Sequence, residues 1–138
     1  MSGTELDYVE RTSNVLVSGL IASPTTILTG NPVTYDGTTR VKVEWYAQVI
    51  ELPGNYFDLN IGLYEGTTQE LLLVGCFHNQ GNPFDWTGYG AGFLTPSAGS
   101  HTFTVAGFKS SGSSGSAIVA ASPAGGDYAP CWYRLSVA

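Results

Sequence analysis

Charge is scarce in this chain. Only 12% of its 138 residues are Asp, Glu, Lys or Arg, and five cations face eleven acids for a formal net charge of -6. A protein that grips phosphates needs clustered Lys and Arg, so nucleic acid is excluded as a partner. No apolar run approaches the ~18 residues of a membrane-spanning helix, so no membrane partner is expected. No stretch sustains a 3.6-residue period, which argues against helical bundles and coiled coils. Glycine does not recur at every third position, so the chain is not collagen-like. The start, Met1-Ser2-Gly3-Thr4-Glu5-Leu6-Asp7, lacks the basic opening and apolar core of a signal peptide; synthesis in a cytoplasm without export by that route is expected. Cysteine is limited to Cys76 and Cys131. Cytosolic synthesis favours two free thiols, although spacing alone leaves a disulfide open.

What the chain has in abundance is turn formers and aromatics: 18 Gly, 7 Pro, 8 Tyr, 6 Phe and 3 Trp within a 43% hydrophobic composition. That content is too apolar for a disordered chain. The breakers punctuate short β-rich runs. Asn14–Ser18, Thr25–Thr29 and Val33–Tyr35 come first, the last leading into an Asp36-Gly37 turn pair. Arg40–Ile50 alternates, with Val41, Val43, Trp45, Ala47 and Val49 on one face and Arg40, Lys42, Glu44, Tyr46 and Gln48 on the other. Tyr56–Glu65 alternates again. Gln69–His78 carries Leu71-Leu72-Leu73-Val74, a run that can be buried on both faces. Trp86–Leu94 is aromatic and glycine-rich, and His101–Phe108, Ser116–Ala121 and Tyr128–Val137 complete the set. Ser110–Gly115 has the composition of a flexible hairpin tip. Eight to ten short strands with frequent turns predict an all-β antiparallel sandwich or jelly roll. Residues 1–13 are polar, with Glu5, Asp7 and Glu10 against Arg11. They read as an N-terminal arm, either frayed or ordered on binding, ahead of a β domain over 14–138.

Catalytic chemistry finds little support in the residues. Gly112-Ser113-Ser114-Gly115 lacks the glycine placement of a nucleophile elbow, and no phosphate loop is present. His78 and Cys76 share a strand face, but zinc needs further ligands and no second pair exists. Glu44, Asp58, Glu65 and Glu70 read as solvated surface charge rather than a carboxylate pair. The expectation is therefore no enzyme, no metal and no cofactor. Phe84, Trp86 and Tyr89, beside Asn82 and Asp85, are open to three uses: core or subunit packing, a protein partner, or stacking on a glycan. Trp132 and Tyr133 fall on opposite faces of the last strand, one for the core and one for an interface.

Two stretches carry a family pattern. One is Val33-Thr34-Tyr35-Asp36-Gly37-Thr38-Thr39-Arg40-Val41-Lys42-Val43-Glu44-Trp45-Tyr46. The other is Leu94-Thr95-Pro96-Ser97-Ala98-Gly99-Ser100-His101-Thr102-Phe103-Thr104-Val105, followed by Tyr128-Ala129-Pro130-Cys131-Trp132-Tyr133-Arg134-Leu135. They resemble small jelly-roll virion surface proteins of tailed phages, especially those of actinobacteria. The resemblance covers about residues 14–137 and departs from the pattern at Cys131 and Trp132. It implies a tumour-necrosis-factor-like trimeric jelly roll on the virion surface, most simply a capsid decoration bound to the major capsid protein lattice. The alternative is a receptor- or glycan-binding tip of a head fibre or tail. Under that resemblance Tyr46, Tyr64, Phe108 and Trp132 are the trimer-interface candidates, and Glu5, Leu6, Asp7 and Tyr8 form a capsid-binding arm.

Overall fold

Alternating apolar residues and Gly/Pro turns place twelve strand segments and no helix among residues 3–138, which the computed structural model describes. Met1 and Ser2 of the expected arm lie outside the described residues. The segments are β1 (Glu5–Arg11), β2 (Val15–Val17), β3 (Thr25–Thr29), β4 (Val33–Asp36), β5 (Val41–Leu52), β6 (Phe57–Glu65), β7 (Thr68–His78), β8 (Phe84–Leu94), β9 (Ala98–His101), β10 (Thr104–Lys109), β11 (Ala117–Ala120) and β12 (Cys131–Val137).

Register merges several of them. Along one edge of β5, β12 pairs with Val41–Tyr46 and β11 pairs with Val49–Glu51. In the same order β1 pairs with β12 and β2 with β11. So β11/β12 is one strand interrupted by the 121–130 loop, and β1/β2 is another interrupted at 12–14. The first sheet is then four strands wide, β1/β2, β12/β11, β5 and β8; the second runs β3, β10, β6, β7. All these pairings are antiparallel, and apart from the β6–β7 hairpin successive principal strands cross between the sheets, which is the jelly-roll arrangement. A short β4–β9 ladder closes one end. The eight principal strands plus β4 and β9 agree with the expected number.

The core lies between the sheets. Val41, Val43, Trp45 and Ala47 of β5 face Phe57, Leu59, Ile61 and Leu63 of β6, all fully buried. On β8 the inward positions opposite Val43, Trp45 and Ala47 are Gly92, Gly90 and Gly88. A Cβ on Gly88 would stand 2.6 Å from Ile50, and one on Gly90 would stand 2.1 Å from the Leu73 carbonyl oxygen of β7. The absence of side chains lets the two sheets pinch together along the β7/β8 edge.

Four expectations need correction. Residues 5–11 are not an arm: β1 is built into the first sheet, so the division into 1–13 and 14–138 does not hold. Asp7 is buried there, accepting hydrogen bonds from Tyr133 Oη (2.5 Å), Asn31 N (2.9 Å) and Asn31 Nδ2 (2.8 Å). On β5 a register shift between Ala47 and Ile50 hands the core to Ile50 and Leu52, so Val49 is not an inward residue like those before it. Leu72 is not buried on both faces; it points outward and is 55% exposed. The Ser110–Gly115 tip is tied down: Ser113 Oγ accepts the Asp58 N–H at 2.8 Å, and Lys109 Nζ donates to the Gly115 carbonyl at 2.6 Å.

Candidate protein-binding face

Strand alternation sends every second residue of the first sheet outward. On the half built by β1, β12 and the adjoining parts of β5 and β8, those residues form an aromatic row. Tyr8, Trp132, Tyr46 and Tyr89 stand on four adjacent strands, with Trp132–Tyr46 and Tyr46–Tyr89 as direct cross-strand partners. Ring centroids are 6.2 Å apart for Tyr8–Trp132 and 5.7 Å for Trp132–Tyr46, with planes 31° and 29° apart. These spacings are too short for rings lying side by side in one plane. Trp132 and Tyr46 are stacked and Tyr8 is tilted against Trp132, while the hydroxyls of Tyr8 and Tyr89 donate to Glu10 and Glu44.

Beside the row lies a charge network centred on Glu44. Its carboxylate accepts hydrogen bonds from Arg134 Nη2 (2.6 Å) and Nε (3.2 Å), Lys42 Nζ (3.0 Å) and Tyr89 Oη (2.8 Å). Glu44 is buried, not the solvated charge expected from sequence. The Arg134 guanidinium, foremost, holds its carboxyl down to about 2; Lys42 and Tyr89 add to this, against the effect of burial. Arg134 also lies 5.9 Å from the Trp132 ring, and Arg40 lies 4.4 Å from the Phe93 ring. This half-face holds three of the chain's five cations, Arg40, Lys42 and Arg134, against three acids, Glu5, Glu10 and Glu44. It is balanced, and the whole formal charge of -6 sits on the rest of the molecule.

The sequence-derived site residues divide over several places. Tyr46 and Trp132 meet in the aromatic row. Tyr64 and Phe108 do not join them: they lie on the outer face of the other sheet, packed on Ala106 and buried. The four candidates therefore form no single patch: the structure brings together Tyr46 and Trp132 alone. Phe84, Trp86 and Tyr89 do not form one platform either. Phe84 stacks on His78 at 5.5 Å, Trp86 packs against the core, and Tyr89 faces outward. Of the expected arm, Asp7 points inward, Leu6 packs against the core, and Glu5 and Tyr8 lie exposed at the rim of the aromatic half-face. Sequence reasoning missed Tyr8 and Arg134 as members of this face; the missed signal was the alternation of Asp7, Tyr8 and Val9, hidden by a buried acid and by the register shift before it.

The second family stretch has a structural role. His101 stacks on Phe103 with planes 7° apart, its Nδ1 lies 2.7 Å from Glu65 Oε1, and its Nε2 lies 3.0 Å from the Ser97 carbonyl and 3.2 Å from Ser97 Oγ. The ring thereby ties the turn before β9 to the end of β6. In the first stretch Asp36 accepts the Thr38 and Thr39 N–H groups at 2.7 Å each, which holds its carboxyl well below the usual carboxylate range. Gly37 supplies the positive φ of 80° that this turn requires. Both cysteines are free, and burial pushes each thiol up to about 12. Among the described residues no three His, Cys, Asp or Glu side chains gather into a metal-binding group.

No family model matches the chain, and no curated protein matches it. Among solved structures it is similar to the TNF Eiger of S. frugiperda, with TM-score 0.47 and 14% identity over all of this chain and 94% of that one. It is similar to a chain of infectious bursal disease virus, Gx strain, with TM-score 0.37 and 15% identity over 99% of this chain and 38% of that one. A third is a xylan-binding domain of Paenibacillus barcinonensis, with TM-score 0.35 and 8% identity over 99% of this chain and 97% of that one. At these scores the likenesses carry no argument about function.

Proposed function

We propose that this chain is a structural virion protein, a capsid decoration that assembles as a homotrimer on the major capsid protein lattice of a phage head. The observation that carries the reading is the balanced aromatic half-face. Rigid stacked rings lose little side-chain entropy on contact, and aromatic and Arg anchors dominate protein interfaces. A face without net charge, on a chain of -6, is also where a second copy meets least like-charge repulsion. Closed symmetry would bury this surface and leave the acidic remainder in water. Attachment across a lattice would stabilise the shell by binding the assembled state preferentially.

The test has two arms. Light scattering of the purified protein is expected to give three chain masses, and Trp132→Ala is expected to weaken assembly ~30-fold or more, the ~2 kcal/mol of an interface hot spot. Added to empty capsids, the wild type is expected to appear in the capsid density. A monomer that ignores capsids refutes the reading. Tyr89 and Phe84, 52% and 49% exposed, favour a second reading as a glycan-binding tip of a head fibre or tail. It is the weaker one, because those two rings share no platform: Phe84 stacks on His78 and Tyr89 stands in the row. A glycan array with Tyr89→Ala as control separates the two.

A further inference from the structure

The outer face of the second sheet is the other apolar surface. Five of the ten exposed large hydrophobic side chains among the described residues lie on this side: Leu20, Ile21, Tyr56, Leu72 and Phe77. Ile21, the most exposed at 65%, belongs to the β2–β3 loop that crosses this face. It stands at a groove of about 460 Å3 lined by Leu20, Phe108, Asp58 and Lys109 among others. The projecting aliphatic side chain is thus one wall of an apolar recess whose remaining space can take the same side chain from a second copy. That is the self-complementary pairing of knob and hole that a two-fold contact requires.

Charge points the same way. The groove holds one acid, Asp58, and one cation, Lys109. The acids Asp36, Glu65 and Glu70 cluster at one end of the sandwich, and Glu51 and Asp85 at the other end. A two-fold axis through the groove would set Asp58 of each copy against Lys109 of the other, with no net repulsion between faces.

We propose that a second copy of this chain docks on this face about a two-fold axis, Ile21 of each entering the groove of the other. The contact goes beyond the trimer reading and does not depend on it, since it uses the opposite side of the molecule.

Sedimentation equilibrium of the full chain over a range of concentrations tests it. In the Trp132→Ala background, Ile21→Asp is expected to halve the limiting mass from two chains to one, and Ile21→Ser to raise the two-fold dissociation constant at least tenfold; melting temperature reports that each variant folds. Asp58→Lys alone and Lys109→Asp alone are expected to weaken the contact about tenfold, and the double variant to restore it. A limiting mass unmoved by Ile21→Asp overturns the proposal, as does a double variant no better than either single one. Trp132→Ala separates the two interfaces. A dimer that persists in Trp132→Ala and vanishes when Ile21→Asp is added supports this contact whatever the trimer does; a wild-type trimer without larger species, indifferent to Ile21→Asp, overturns this contact and leaves the trimer reading standing.

Discussion

Glu44 shows how a carboxylate that composition assigns to water becomes structural: four hydrogen bonds from Lys42, Tyr89 and Arg134 converge on it. Its carboxyl is lowered from the ordinary value of 4.5 to about 2, Arg134 being the main cause. A folded-state value below the unfolded one means that the group's contribution is complete above ~pH 5 and is lost as pH falls through the window down to about 2. Glu44→Gln is expected to flatten the acid limb of stability between these values and to cost on the order of 1–2 kcal/mol at neutral pH, read from urea melts at several pH values. Gly90 illustrates the opposite case, where the absence of a side chain is what matters. The Leu73 carbonyl oxygen occupies the space of its Cβ, so Gly90→Ala is expected to cost roughly 2–3 kcal/mol. Gly92→Ala meets only the end of the Leu71 side chain, at 3.1 Å, and is expected to cost far less; thermal melts of the two variants check the difference.

At the scale of elements, β1 separates what the sequence revealed from what it hid. The strands β3, β5, β6, β7 and β8 were legible because their apolar residues alternate or run together. β1 was not, because the inward side of its pattern includes Asp7, and a buried acid reads as polar until its partners are known. Those partners, Asn31 and Tyr133, lie 24 and 126 residues away in sequence, beyond any local pattern. The same distance effect hid the candidate face: the resemblance named Tyr46 and Trp132, but cross-strand register alone brings Tyr8 and Tyr89 beside them. Tyr64 and Phe108 misled because an apolar outward residue can be covered by its own chain as well as by a partner. Asp7→Ala leaves the Tyr133 hydroxyl and the Asn31 groups without their acceptor. It is expected to destabilise the fold by ~2–4 kcal/mol, measured by urea unfolding, whereas a detachable arm would leave stability unchanged.

At the scale of the whole molecule, charge is partitioned rather than merely scarce. The aromatic half-face is balanced while the ends hold the acids, so added salt is expected to favour assembly modestly by screening the remainder without weakening an apolar contact. Sedimentation at low and physiological salt checks this. The pairing of β1 with β12 has a consequence in time. The ladder from Glu5–Ser136 to Arg11–Cys131 joins strands more than a hundred residues apart in sequence, and the Asp7–Tyr133 bond fastens it. β1 therefore stays without its sheet neighbour until the residues of β12, more than a hundred positions later, have been made. Folding is expected to be slow for the chain's length, as its dominance by non-local pairings implies. During that wait the unpaired edges of β1 and β5 are what a chaperone, or another unfinished copy, would find first.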